Sequence, residues 1–206
     1  MGDRDLEMWL DFGCPWSRIS LVELTRVLAV LDTRTNVRIH SVRLDPDAPT
    51  DYGHTTIEHL CADLNISVNQ AEQMLEAVVE GGARASVRFD FHRARGGSSF
   101  DAHRVLHLAH RYDKQIDLAL AVFRAHFEEG LLISNHNVLH TLATDVGLPS
   151  DAVRALLTSD AYARDVLTDE STAAERGIER TPHLVINETH HLSGVQYFED
   201  LLRTCE

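Results

Sequence analysis

Positive charge is scarce in this chain. Lysine and arginine together number 19 against 32 aspartates and glutamates, a formal net charge of −13, and Lys114 is the only lysine. Nucleic acid and anionic membrane surfaces both require a basic patch, so neither is an expected partner. Long apolar runs are missing as well: no stretch approaches the roughly 18 consecutive apolar residues of a membrane span. Met1-Gly2-Asp3-Arg4-Asp5 leads straight into a strand-like pattern without the apolar region of a signal peptide, so a cytoplasmic location is the expectation. Cysteine is sparse. Cys14, Cys61 and Cys205 have no short metal-binding or disulfide spacing, and an odd count argues against a disulfide framework. The hydrophobic fraction is 44%, enough for the core of one or two domains in a chain of 206 residues.

The most informative absence is a second cysteine near the first. Cys14-Pro15-Trp16-Ser17 follows the apolar Met8-Trp9-Leu10 and opens a helical pattern running through Ile19, Leu21, Val22, Leu24, Val27, Leu28 and Leu31. A Cys-x-x-Cys there would be a dithiol redox site; here Ser17 takes the second place. A thiol at a helix N-terminus meets free backbone N–H groups and the positive end of the helix dipole. Both favour the thiolate, which is the attacking species. Pro15 suits the first helical position, where its missing N–H costs nothing. Ser17, about one turn on, is expected to donate a hydroxyl hydrogen bond to the thiolate, and Arg18 would add positive charge if its side chain turned that way. Taken alone, a single cysteine reads equally as a small buried hydrophobe.

The periodicity predicts a strand near 6–13, a helix at 15–33 and a second strand at 36–44, a parallel βαβ unit with a right-handed crossover. Asp45-Pro46-Asp47-Ala48-Pro49 breaks the pattern. Helices are expected at 56–64, from Ser67 to a stop at Gly81-Gly82, at 100–112, 115–129 and 135–146, and from 150 toward Gly177 with breaks. Ser67 and Gln70 have capping-box spacing. His183–Asn187 reads as a strand, a following segment around His191–Gly194 as its hairpin partner, and 196–205 as a last helix. The chain therefore reads as an α/β domain (residues 1–50 and 175–206) split by an inserted all-helical domain (residues 51–174), an arrangement that the resemblance given next identifies as thioredoxin-like.

Several ordered segments carry a family resemblance. Asp11-Phe12-Gly13-Cys14-Pro15-Trp16-Ser17 is similar to the D-x-x-C-P-W-C of the DsbA family of thioredoxin-fold proteins, specifically its FrnE-like branch. That branch is related to the 2-hydroxychromene-2-carboxylate isomerases and the kappa-class glutathione transferases. Ala102-His103-Arg104-Val105-Leu106 resembles the family's A-H-R-L. Phe123 to Gly130 resembles its L-F-x-A-Y-F-x-E-G helix, Gly177 to Pro182 its G-V-x-G-V-P, and Ile186 to Gln196 its closing strand and S-G-A-Q. The resemblance implies a cis peptide between Thr181 and Pro182, packed beside the start of the active-site helix, with the Thr181 backbone offering hydrogen bonds to a substrate lying across Cys14. It also implies thiol–disulfide chemistry, from which this chain departs at Ser17.

The leading expectation is therefore a monothiol oxidoreductase: Cys14 attacks a disulfide in a protein or small molecule, and a low-molecular-weight thiol such as glutathione or mycothiol resolves the product. Pro15, Trp16, Thr181, Pro182 and His183 would form the substrate-binding surface, with His183 either a charge partner of Cys14 or simply exposed. The alternatives are a transferase- or isomerase-like enzyme in which Ser17 polarises a bound small thiol, and a binding protein that has lost turnover. No bound cofactor is expected. His103, His107 and His110 share one helix flank, and His136 and His140 repeat the spacing, but no acidic or cysteine ligand accompanies them, so no metal site is assigned. Cys61 reads as core, and Cys205 as buried or inert.

Overall fold

The computed structural model describes residues 4–32 and 34–205. β1 (Arg4–Leu10), α1 (Pro15–Val30) and β2 (Thr35–Ser41) form the parallel βαβ unit. β3 (His183–Ile186) and β4 (His190–Ser193) form the hairpin, and α9 (Phe198–Cys205) closes the chain. β3 runs antiparallel to β1, giving a sheet of order β2-β1-β3-β4. Between β2 and β3 lie α2 (Thr56–Leu64), α3 (Val68–Arg84), α4 (Phe100–His110), α5 (Gln115–Phe127), α6 (His136–Asp145), α7 (Ser150–Leu157) and α8 (Ala163–Glu175). This is a thioredoxin fold with a helical insertion, as the sequence order suggested.

Strand alternation assigns the two sheet faces. Leu6, Met8 and Leu10 of β1, with Leu184 and Ile186 of β3, meet Leu21, Leu24 and Val27 of α1 in the main core. Trp9 and Val185 point the other way, onto Ala173 of α8 and Ile178. β2 is an edge strand, and Gln115 at the start of α5 answers part of its exposed backbone. Its Oε1 accepts from Ile39 N at 3.0 Å and its Nε2 donates to Ile39 O at 2.9 Å.

A buried polar network fastens α8 to the sheet. Asp169 accepts from Ser41 N at 2.8 Å and lies 2.9 Å from His40 Nδ1 and 3.2 Å from His107 Nε2. His40 stacks on Trp9 with ring centroids 4.2 Å apart, and its Nε2 reaches Glu7 at 3.0 Å. Glu7 in turn takes Arg176 at 2.8 Å.

Several boundaries differ from the sequence reading: β1 ends at Leu10 and not near 13, and α1 ends at Val30 and not near 33. The second strand ends at Ser41, because Leu44 N donates to the Asp11 carboxylate at 2.8 Å rather than to a strand. α3 runs through Gly81-Gly82 to Arg84 instead of stopping there. A Cβ at Gly81 would stand 2.8 Å from the Trp16 ring, and one at Gly82 would stand 2.6 Å from the Phe89 ring. The two glycines admit neighbouring rings and do not end the helix. The break expected between 150 and 177 falls between α7 and α8, where Arg104 of α4 draws carbonyls at and just after the end of α7 to itself. Its guanidinium donates to Leu156 O and Ala161 O, both at 2.8 Å, and to Ser159 O. The expected capping box of Ser67 with Gln70 is present, and Thr55 with Glu58 forms a second one that the sequence reading did not name.

Candidate active site

The turn from β1 into α1 is built on Asp11. Its backbone carbonyl accepts from Cys14 N at 3.1 Å. Its buried carboxylate accepts from Gly13 N at 3.1 Å, Leu44 N at 2.8 Å and Ser99 Oγ at 2.8 Å, with His103 Nε2 at 3.4 Å. Burial alone pushes this carboxyl up. The hydrogen bond and charge of His103, with the Leu44 and Gly13 amides, outweigh it and hold Asp11 below the usual carboxylate range. The charged form is thus what ties the active-site turn to α4 and to the segment after β2.

Cys14 occupies the N-cap of α1 in extended backbone geometry, with Pro15 in the first turn. The residue is only 4% exposed, and its Sγ donates to Thr181 O at 3.3 Å. The peptide between Thr181 and Pro182 is cis. Cys14 and the Thr181-Pro182 corner, 167 residues apart in sequence, thus meet in the fold. Ser17 N donates to Cys14 O at 3.1 Å. The Ser17 side chain is fully buried, and its Oγ has no hydrogen-bond partner. The hydroxyl is unengaged at the second-sulfur position and is not bonded to Cys14.

The other sequence candidates fall on both sides of this centre. Arg18 turns away from the thiol: it pairs with Glu128, donates to Arg88 O at 2.7 Å and lies over the Phe89 ring. A buried guanidinium needs such partners. Trp16 packs against Gly81 of α3. His183 aligns with Trp9 in the sheet, on the face opposite α1, and its Nε2 lies 3.0 Å from His191 Nδ1. Its partner is therefore a second imidazole, not Cys14. The helical histidines are divided among different tasks. His103 serves Asp11, His107 serves Ser41 and Asp169, His136 meets Asp101 at 2.7 Å and His140 meets Ser150 at 3.0 Å. Among the described residues no three His, Cys, Asp or Glu side chains gather at metal-binding positions. All three cysteines are free; Cys205 is buried, which pushes its thiol up, and Cys61 is half-buried.

A cavity of about 270 Å³ opens beside Cys14, lined by its neighbours Gly13 and Pro15, by Asp11, and by Leu60, Phe91 and His126 among others. A larger cleft of about 840 Å³ runs along the β2 edge past Asn36 and Asp117 and holds none of these residues. His126, on α5, is 4% exposed and its Nδ1 has no hydrogen-bond partner. Burial pushes its pKa down to about 4, partly offset by the negative charge of Asp11, so the imidazole is neutral at neutral pH. Sequence reading missed this residue, and equally Asp11 and Ser99 as parts of the site. Asp11 stood inside the quoted motif, but nothing in a sequence says that three distant donors converge on it.

Because the folded pKa of His126 lies below the ordinary 6.5, the unfolded chain binds the extra proton first. The resulting contribution is fully present above about pH 6.5 and is lost as pH falls toward 4, amounting to about 3 kcal/mol. In urea titrations at pH 7 and pH 4.5, His126→Phe is expected to lose stability less steeply between the two than the parent. Equal slopes would show that His126 is not buried neutral.

The sequence matches the DSBA-like thioredoxin domain family over residues 5–205. Comparison with curated proteins returned no match. Among solved structures, a probable DsbA oxidoreductase from Streptomyces coelicolor superposes with a TM-score of 0.88 at 29% identity, covering 98% of this chain and 88% of the other. A 2-hydroxychromene-2-carboxylate isomerase gives 0.72 at 13% identity, covering 97% and 92%. The cytosolic disulfide reductase DsbM from Pseudomonas aeruginosa, solved with GSH, gives 0.64 at 18% identity, covering 92% and 89%. No helix among the described residues is long and apolar enough to cross a membrane. With the family matched across nearly the whole length of the chain, this protein belongs to the DSBA-like thioredoxin domain family, a family of thiol oxidoreductases and isomerases.

Proposed function

We propose that this protein is a monothiol thiol–disulfide oxidoreductase. The observation that carries the reading is the placement of Cys14 Sγ at a helix start, 3.3 Å from the carbonyl before cis Pro182, with Ser17 where a second sulfur would resolve it. In this reading the Cys14 thiolate attacks one sulfur of a disulfide, forms a mixed disulfide and releases the other half as a thiol. Ser17 has no sulfur to attack that bond, so a free low-molecular-weight thiol completes the cycle. Thr181 O, which holds the Cys14 proton at rest, becomes an acceptor for substrate once that proton leaves. Pro15, Thr181 and Pro182 form the substrate surface. The reducing, thiol-rich cytoplasm suits such a cycle, and a cytosolic disulfide reductase of the same fold has been solved with GSH.

One observation favours a second reading. The buried Ser17 Oγ has no hydrogen-bond partner within the protein, and a transferase- or isomerase-like activity would use it to hydrogen-bond the sulfur of a bound small thiol.

The two readings separate on the covalent intermediate. The protein is treated with a small disulfide, quenched in acid and weighed by mass spectrometry. The monothiol reading expects a mixed disulfide on Cys14 that persists until a second thiol is added. In Ser17→Cys the introduced sulfur lies one turn from Cys14 and is expected to displace the bound half, so the adduct disappears and two thiols are lost to an internal disulfide. A parent protein that never carries the adduct on Cys14 would remove the monothiol reading and leave the second.

A further inference from the structure

We infer that the cavity beside Cys14 receives the carbon body of a small disulfide, and that it selects an uncharged, ring-bearing body over one that carries carboxylates. The inference rests on the exchange reading above and adds the substrate class.

Position comes first. Gly13 and Pro15 flank Cys14 in the chain and both line the cavity, while Cys14 itself does not, so the body of a group joined to Sγ is placed in this neighbouring space. Its volume, about 270 Å³, falls at the small end of ligand pockets, which run from roughly 300 to 1,000 Å³. That suits a single ring with short substituents and not an extended peptide.

One side of the wall is built from apolar side chains. Leu60 and Leu75 come from α2 and α3, Phe127 ends α5, and Phe91 stands edge-on to Phe127 with centroids 6.0 Å apart at 76°. Phe91 is also stacked on Phe89 at 5.3 Å. Flat apolar groups pack well against such edge-to-face arrays.

Charge decides the selectivity. No lysine or arginine lines the cavity, whereas the carboxylates of Asp11 and Asp45 both do. Arg18, the cation nearest Cys14 in sequence, is held by Glu128 and Arg88 O. Tyr52 OH donates to Asp45. The Asp11 donors are all engaged within the protein. His126 is the one polar side chain of the wall with an unpartnered buried nitrogen, and it is neutral. A carboxylate entering here would lose its water, find no cation and face two like charges, which is costly at low dielectric. An uncharged ring loses little on entry.

The chemistry balances as exchange. The Cys14 thiolate forms a bond to the sulfur bearing the ring, the substrate S–S bond breaks, and the other half leaves with the electron pair and takes up a proton. A free thiol then attacks the ring-bearing sulfur, leaves with it as a new disulfide and returns the thiolate to Cys14. One disulfide and one thiol become another disulfide and another thiol, with no net oxidation.

The test uses two disulfides on one scaffold, dithiodipyridine and its dicarboxylate, dithiodinicotinic acid. Each releases a thione that is followed by absorbance. Rates are measured for the full chain, corrected by subtracting those of Cys14→Ser, and divided by the rate of each reagent with a free cysteine peptide. The expected result is a preference for the uncharged reagent on the order of 10-fold, equivalent to about 1.4 kcal/mol. The preference should fall several-fold in Leu60→Trp and in Leu75→Phe, which fill the cavity from two different helices. Equal normalised rates, a preference for the dicarboxylate, or a preference undiminished in both filled variants would overturn the inference and leave the exchange reading standing. Absence of any Cys14-dependent reaction with either reagent would overturn the exchange reading itself.

Discussion

Replacing Cys14 by serine is expected to reduce disulfide exchange to the uncatalysed background, a loss on the order of 10³-fold or more. A hydroxyl at that position keeps the helix cap and its hydrogen-bond partner, Thr181 O, but is a far poorer nucleophile and leaving group than a thiolate at neutral pH. Steady-state turnover of a small mixed disulfide by a second thiol measures the effect. Circular dichroism of the same variant should show an unchanged fold, because the substitution leaves the Asp11 turn intact. Retention of more than a tenth of the parent's turnover would mean that Cys14 is not the attacking group. Ser17→Ala gives the complementary reading: its hydroxyl has no partner in the folded protein, so its removal is expected to alter exchange far less than loss of Cys14.

The largest effect on stability is expected at Asp169. Burial pushes its carboxyl up, but hydrogen bonds from His107 and His40, the charge of His40 and the Ser41 amide reverse the balance and hold it well below the usual carboxylate range. Asp169→Ala leaves His40, His107 and Ser41 N facing an empty place behind the sheet. Breaking a buried pair from one side costs about 3 to 5 kcal/mol, a large part of the 5 to 15 kcal/mol that typically holds a domain together. The pH dependence follows from the same shift. A carboxyl whose folded pKa is depressed contributes stability that is complete above its unfolded value, about 3.9, and is lost as pH falls through the lower folded value. Denaturant titrations of the parent and Asp169→Ala should therefore differ most near neutral pH and converge below about pH 4. A constant gap at all pH values would show that Asp169 acts by packing and not by charge.

Much of the framework was legible because it depends on local rules. The alternation in β1, the Ser67 capping box, the Pro15 helix start and the glycine-free run of α1 are each determined by neighbours a few residues apart. The misread places depend on distant partners. Gly81-Gly82 looked like a helix stop because glycine lowers helix propensity, and only the Trp16 and Phe89 rings pressed against it explain its presence inside α3. A break between 150 and 177 was legible, but its position between α7 and α8 rests on Arg104, some 50 residues upstream, whose guanidinium takes carbonyls that would otherwise continue a helix. His183 had the right neighbour in Pro182, but strand alternation and the Trp9 register put it across the sheet.

By itself the sequence determined the order of elements, the solitary thiol at a helix start and the missing second sulfur, since these are matters of residue type and short-range spacing. Tertiary structure alone decided that Thr181 O meets Cys14, that Asp11 is the keystone of the turn, that Arg18 is spent on Glu128 and that a neutral His126 lines an apolar cavity beside the thiol. Those contacts join segments from 33 to 167 residues apart. Their charge states follow from burial and the partners burial supplies, and neither exists until the helical insertion has closed over the sheet.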